Sequence, residues 1–378
     1  MSKIDDLIQE LCPKEVEFKR LGEICEIKTG AGVTRKDIVE EGLFPIISGG
    51  IYPLGMYDRS NRKAKTVTIA RAGSAGYVDF IDRDFYLNDK CFSVIPFESY
   101  QDNINSRFLY FALKNIEQSI IDMKSAGSVP TVNTQKVSKI KIPVPPLEVQ
   151  KEIVRVLDSF TELEAELEAE LEARKKQYEY YRNTLLTFED DKNITWVELG
   201  EVTKYEQPTK YIVRSSDYND NFSIPVLTAG KTFILGYTDE SSGIYNASVH
   251  PVIIFDDFTT ANKLVDFDFK VKSSAMKIIT SLDEGTALLK YIYHWLNTLP
   301  SGLVEGDHKR QWISSWSKKK IPIPPLEKQK KIVSILDKFE KLTNDISVGL
   351  PAEIEARRKQ YEYYRNKLLT FKELECSR

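Results

Sequence analysis

The stretch "KIPVPPLEVQKEIVRVLDSF" at residues 141–160 returns as "KIPIPPLEKQKKIVSILDKF" at residues 320–339. A near-copy of this length inside one chain decides the architecture: two similar halves, each ending in the same kind of element. The paired prolines cannot lie inside a helix, because proline lacks the N–H donor and disfavours helix in the residue before it. Helices are therefore expected to start near Leu147 and Leu326. Beyond the first start, Ile153, Val156, Leu157, Phe160, Leu163, Leu167 and Leu171 recur at spacings of mostly three and four, and Tyr178, Tyr181, Leu185 and Phe188 continue the stripe. That pattern predicts one amphipathic helix of about 40 residues, roughly 60 Å long. Its narrow apolar stripe calls for a coiled-coil partner, and the other repeat is the obvious one, lying antiparallel.

A second shared block strengthens the reading. "KQYEYYRN" stands at 176–183 and again at 359–366. The second half carries four extra residues between its blocks, within "TNDISVGLPAEIE" (343–355), where Gly349 and Pro351 are expected to kink or interrupt the helix. Weaker echoes reach the rest of the chain: "FKRLGEI" (18–24) against "WVELGEV" (196–202), and "FPIISGG" (44–50) against "IPVLTAG" (224–230). The segment after the first helical block, "LLTFEDDKNITWVELGEV", has its counterpart at the N-terminus in "LIQELCPKEVEFKRLGEI". This cyclic order implies termini close in space. Between the helical blocks, strand-like runs such as "TVTIARAGSAGYVDFI" (66–81) and "HPVIIFDDFTT" (250–260), with the helical runs "INSRFLYFALKNIEQSI" and "TALLKYIYHWLNTL", point to α/β globular parts.

Composition narrows the class. The chain has 378 residues, enough for two domains, with 42% hydrophobic and 29% charged residues. No apolar run approaches a membrane span, and acids in "MSKIDDLIQELCP" argue against a signal peptide, so a cytoplasmic protein without a membrane partner is expected. Four scattered cysteines form neither a zinc framework nor a disulfide scaffold. The net charge of −3 offers no global attraction to nucleic acid, but 10 of the 56 acidic residues sit in the helical segment 142–188, leaving room for local basic patches elsewhere.

Catalytic motifs fail one by one. "TAGKT" (228–232) ends like a phosphate-binding loop, but Pro225 stands where the first glycine is required. "GAGVTR" (30–35) lacks the third glycine of a dinucleotide fingerprint. Asp256 and Asp257 form a carboxylate pair at a strand end, opposite Arg71 and Ala72 of the first half, so the halves share no acid–base machinery there. His250, His294 and His308 have no metal-ligand spacing. The chain reads as having no catalytic and no metal residues. What remains is a set of polar loops at matching positions with different letters: 48–50, 58–63, 71–76, 88–90 and 128–136 in the first half, against 228–231, 241–246, 256–263 and 305–312 in the second. Arg, Lys, Asn, Ser and Thr in such loops suit base edges and phosphates. Shared framework with unlike loops fits two unlike readers on one duplex.

Together the "KIP(V/I)PPLExQ" starts, the "IVxxLDxF" continuation, the "ARxKQYEYYRNxLLTF" ends and the cyclic order resemble the specificity subunits of type I restriction–modification enzymes, over essentially the whole chain. The resemblance implies an α/β fold with two pseudo-two-fold-related globular target recognition domains separated by two long antiparallel coiled-coil helices. It implies recognition domains at 1–141 and 189–320, a central conserved helical region at 142–188 and a C-terminal one at 321–378. It further implies a non-catalytic subunit that reads a bipartite asymmetric site on double-stranded DNA. Two methyltransferase (modification) subunits would dock on it, and two restriction subunits when present. No cofactor would bind this chain; S-adenosylmethionine, ATP and Mg would belong to the partners. The "LEAELEAELEA" run (163–173) resembles the short repeats that set the spacer in this family.

Residue type and loop position single out Arg71, Ser74 and Asn133 in the first domain, and Lys231, Thr260, Asn262, Lys309 and Arg310 in the second, as DNA-binding candidates. Tyr178, Tyr181, Tyr361 and Tyr364 fall on the apolar stripe and read as coiled-coil packing. Tyr180, Arg182, Tyr363 and Arg365 fall off it and are the candidates for partner binding. A coiled-coil scaffold carrying two ligand-binding domains is the alternative reading, and a self-sufficient DNA enzyme a more distant one.

Overall fold

The computed structural model describes residues 10–11, 16–125, 129–188, 194–228, 232–300, 310–345 and 348–374. Five helices carry the argument: α1 (Ser106–Asn115), α2 (Leu147–Leu185), α3 (Leu289–Leu296), α4 (Leu326–Asn344) and α5 (Leu350–Leu369). The chain divides into two compact units, residues 1–168 with 354–378, and residues 169–353. The division falls inside α2, within the "LEAE" run.

Each unit has the same plan. In the first, a four-stranded antiparallel sheet runs in the order Cys25–Thr29, Cys91–Pro96, Thr66–Ala70, Val78–Ile81. A three-stranded sheet sets Phe44–Ile47 antiparallel to Met56–Tyr57 and parallel to Tyr86–Leu87. In the second, the four-stranded order is Thr203–Glu206, Met276–Ser281, Val252–Asp256, Asn262–Val265, and Ile224–Leu227 lies antiparallel to Ile234–Thr238 and parallel to Lys270–Val271. A two-stranded antiparallel ladder closes each globular part: Phe18–Arg20 on Lys141–Pro143, and Thr195–Glu198 on Lys320–Ile323. The repeat legible in the letters is thus a repeat of topology. The central strands Thr66–Ala70 and Val252–Asp256 are buried throughout, because helices cover one face and the smaller sheet the other.

The helix starts expected after the proline pairs are found at Leu147 and Leu326. The reason for the rest of the shared motif is a buried glutamine one turn in. Gln150 donates from Nε2 to the carbonyls of Asn103 and Pro145, each at 2.8 Å, and its Oε1 accepts from the Asn105 amide at 2.9 Å. Gln329 repeats this with Thr286, Pro324 and Leu288, at 2.9, 2.9 and 3.0 Å. Both are fully buried, and each ties the long helix to the residue that starts α1 or α3. Two turns further, Asp158 Oδ1 accepts from Arg107 Nε of α1 at 2.8 Å. Its counterpart Asp337 accepts from Lys290 and His294 of α3 at 2.6 and 2.8 Å. Burial pushes the Asp337 carboxyl up, but these two hydrogen bonds outweigh it and hold it below the usual range.

Both units contain an antiparallel helix pair. In the first, Phe160 of α2 stacks on Tyr364 of α5 (5.4 Å between centroids, 22° between planes), while Glu164 and Glu168 meet Arg358, each at 2.6 Å. Rising numbers on α2 meet falling numbers on α5. In the second, Tyr181 of α2 stacks on Phe339 of α4 (5.4 Å, 23°), and Lys328 lies over Phe188 further along. The repeated aromatics are therefore each other's partners: the phenylalanine after one helix start meets the tyrosines of the other block. The second helical block is two helices, α4 and α5, as Gly349 and Pro351 foretell. A Cβ on Gly349 would stand 2.5 Å from the Lys341 carbonyl, so only glycine fits this turn. Within the first unit, Val16 bridges Glu373, and the Leu374 amide donates to the Val16 carbonyl at 3.0 Å, bringing the two ends of the described chain together.

Candidate nucleic-acid interface and docking face

In the first unit the fold collects four of the polar loops around the end of strand Thr66–Ala70. Ser74 N–H donates to the Gly49 carbonyl at 2.7 Å. Gly73, at φ +79°, lies so close to Gly49 that a Cβ would meet the Gly49 carbonyl oxygen at 2.6 Å. Arg71 N–H donates to Lys90 O at 2.8 Å, and Val132 N–H donates to Arg71 O at 2.9 Å. Loops 48–50, 71–76, 88–90 and the described part of 128–136 thus form one surface, while Arg71 itself is exposed. Tyr52, 83% exposed, stands at its edge. Behind Tyr52, a cavity of about 180 Å³ is lined in part by Tyr77, Asp79 and Cys91. Burial raises the Asp79 carboxyl and pushes the Cys91 thiol up to about 12. A thiol kept protonated at neutral pH is a poor nucleophile.

The second unit uses the same backbone frame with other side chains. Its strand Val252–Asp256 pairs Asp256 with Met276, as Ala70 pairs with Cys91. Asp257 therefore occupies the slot of Arg71, one residue away from the alignment read off the letters. The hydrogen bonds agree: Asp257 N–H donates to Ala275 O at 3.1 Å, and Gln311 N–H to Asp257 O at 2.9 Å. Where the first unit presents an exposed guanidinium, the second buries an Asp257–Lys277 ion pair at 3.2 Å, with both side chains at most 1% exposed. Asp257 Oδ1 also accepts from the Trp312 amide at 2.8 Å, fastening the 310–312 segment to this loop. Asp256 closes its own turn, accepting from Phe258 N–H and Thr259 Oγ1 at 2.9 and 2.6 Å. The two aspartates do not share an acid–base site.

The sequence-derived DNA candidates meet different fates. Arg71 and Ser74 lie on the gathered loop surface. Asn133 spends its side-chain oxygen capping the helix Thr134–Ser138, at 2.9 Å from the Lys136 amide. Thr260 is only 3% exposed and holds a left-handed turn at φ +64° with its amide on Asp256 O, so its burial corrects the expectation of a surface contact. Asn262 begins strand Asn262–Val265, and its buried Oδ1 has no partner among the described residues. Arg310 is exposed where the helix Gln311–Ser314 begins. Lys231 and Lys309 lie outside the described residues.

The repeated block has a consistent face in each unit. Tyr178 and Tyr361 carry the guanidinium of Arg182 and Arg365 over their rings, each at 5.5 Å. Tyr180 and Tyr363 point away, 65% and 62% exposed, edge-on to Tyr181 and Tyr364. Sequence reasoning missed Gln150, Gln329, Asp158 and Asp337, whose signal was the repeat itself. Among the described residues no helix is long and apolar enough to cross a membrane.

A family model for the "Type I restriction modification DNA specificity domain" matches residues 13–173 and again 191–356. The specificity subunit of the EcoR124I/EcoR124II type I restriction enzyme of Escherichia coli is 63% identical over 49% of this chain and 46% of that subunit. A putative type I restriction enzyme specificity subunit of Haemophilus influenzae is 33% identical over 94% of this chain and 96% of its own length. Among solved structures, the S subunit of a type I restriction–modification system from M. genitalium superposes with a TM-score of 0.69 at 16% identity, covering 94% of this chain and 96% of that one. The doubled domain match, the near full-length relative and the shared fold agree that the chain belongs to the type I restriction–modification specificity subunits.

Proposed function

We propose that each globular part reads one half of a bipartite, asymmetric DNA site, that the long helices set the spacer, and that the exposed faces of the repeated block dock two methyltransferase subunits. The observation that carries this is the matched slot of Arg71 and Asp257: one backbone frame, two unlike side-chain surfaces. In this reading the recognition domains are residues 1–141 and 189–320, joined by helical regions 142–188 and 321–378. Arg71, Ser74, Asn262 and Arg310 face DNA, with Lys231, Lys309 and the amide nitrogen of Asn133 as further contacts. Tyr180 and Tyr363 are the docking anchors, with Arg182 and Arg365 beside them. The chain itself performs no chemistry; S-adenosylmethionine, ATP and Mg belong to modification and restriction partners.

The 39 residues of α2 amount to about 58 Å of helix, between one and two turns of duplex at ~34 Å each. An arginine placed bidentate on a guanine edge is worth about 1–3 kcal/mol of discrimination. Arg71→Ala should therefore relax one half-site, leaving the other half-site and the spacer unchanged. Methylome sequencing of cells expressing the variant with its modification subunit reads this directly. Simultaneous relaxation of both half-sites would refute the assignment of one reader to each half.

A further inference from the structure

His294, Asp337 and Glu340 bring one imidazole nitrogen and two carboxylate oxygens within 4.8 Å of one another in the second unit. His294 is fully buried on α3, while Asp337 and Glu340 are half-buried on α4, three residues apart and so on one face. His294 Nε2 meets Asp337 Oδ1 at 2.8 Å, its Nδ1 lies 3.4 Å from the Tyr178 hydroxyl, and the Tyr293 hydroxyl donates to Glu340 at 2.5 Å. Lys290 sits on the other oxygen of Asp337 at 2.6 Å.

The first half shows what this place looks like without the cluster. Counting from the residues that receive the buried glutamines, Asn105 and Leu288, Arg107 stands where Lys290 does and Phe111 where His294 does. Within the shared helical block, Asp158 matches Asp337 and Thr161 matches Glu340. There one guanidinium answers one carboxylate, beside a buried phenylalanine and a threonine. Here two carboxylates surround one imidazole, with Lys290 on Asp337 and the Arg182 guanidinium over the neighbouring Tyr178 ring as the nearby cations. Facing helices of a bundle are a standard place for a cation held by such donors.

We propose that His294, Asp337 and Glu340 form a binding site for a divalent transition-metal ion of the zinc type, which clips α3 to α4. The donor set of imidazole with carboxylates suits that class. Tetrahedral bonds of about 2.0–2.1 Å hold donors about 3.3 Å apart, so the ring and Asp337 Oδ1 need to open by about 0.5 Å from their 2.8 Å hydrogen bond, while the widest donor pair, within 4.8 Å, closes by up to about 1.5 Å. Asp337 binds through Oδ1 alone, leaving Lys290 on Oδ2. The half-buried carboxylates give the ion its way in, and the Tyr178 and Tyr293 hydroxyls stand ready to orient the ligands.

The test titrates zinc alone into the chelator-stripped full chain against a chromophoric competitor. Cys12→Ser and Cys376→Ser in the background remove stray thiol sites. One tight equivalent is expected, together with a zinc-dependent rise in melting temperature. Glu340→Thr, the first half's own residue at this position, should weaken that equivalent more than about tenfold. His294→Phe should abolish it, with circular dichroism confirming the fold of each variant. Zinc binding that is the same in the parent and in Glu340→Thr, or an imidazole NMR spectrum that zinc leaves unchanged, overturns the proposal. In either case His294 serves only as the hydrogen-bond partner of Asp337.

Discussion

Replacing Gln150 by alanine tests why the proline-to-helix motif is repeated at all. The side chain is fully buried and makes three hydrogen bonds, to Asn103, Pro145 and Asn105. Asn103 is exposed, so its carbonyl can turn to water; the buried Pro145 carbonyl and the half-buried Asn105 amide have no such outlet. A buried polar group left unmade costs about 1–3 kcal/mol, and two of them with the lost packing bring the expected destabilisation to about 3–5 kcal/mol. At about 2–4 °C per kcal/mol for a unit of this size, the melting temperature of that unit should fall on the order of 10 °C. Gln329→Ala should cost the same, because its bonds to Thr286, Pro324 and Leu288 match to within 0.1 Å. Hydrogen exchange on the full chain assigns the effect: Gln150→Ala should raise exchange around residues 103–110 and 147–157, and Gln329→Ala around 286–294 and 326–336. A loss below about 1 kcal/mol, or a response from the wrong unit, would refute the claim that these glutamines fasten each globular part to its helix.

The helices yield two further expected outcomes. Tyr180→Ala with Tyr363→Ala should leave the melting temperature within about 2 °C, since both rings are mostly exposed, yet abolish co-elution with the methyltransferase subunit on gel filtration; an intact complex would remove them as anchors. Deleting one "LEAE" unit from 163–173 shortens α2 by about 6 Å, which should alter the preferred spacer in the methylome and neither half-site.

The long helices were legible because proline, heptad-like spacing and the repeat all act locally along the chain. Leu147, Leu326 and the break at Gly349 come from rules that need no tertiary context. The stacking of Phe160 on Tyr364 and of Phe339 on Tyr181 joins residues about 160–200 positions apart, and letters alone could only say that these rings lie on a stripe. The site was less legible, for a physical reason. Exposed polar residues and residues that satisfy backbone turns use the same amino acids. Asn133 proved a helix cap and Thr260 a buried turn residue, while Arg71 kept its place on the surface. The slip of one residue between Arg71 and Asp257 arose because alignment compares letters, whereas strand register compares hydrogen bonds.

The central claim is that one framework presents two interchangeable readers of different sequence. Replacing the second globular part, Leu199–Lys319, with a copy of the first, Leu21–Ile140, exchanges segments bounded by the same ladders, Phe18–Arg20 on Lys141–Pro143 and Thr195–Glu198 on Lys320–Ile323. Methylome sequencing of cells carrying this chimera with its modification subunit should show a symmetric site, the first half-site facing its own inverted copy across a spacer of defined length. An asymmetric site that persists, or a first half-site that alters, would contradict the account.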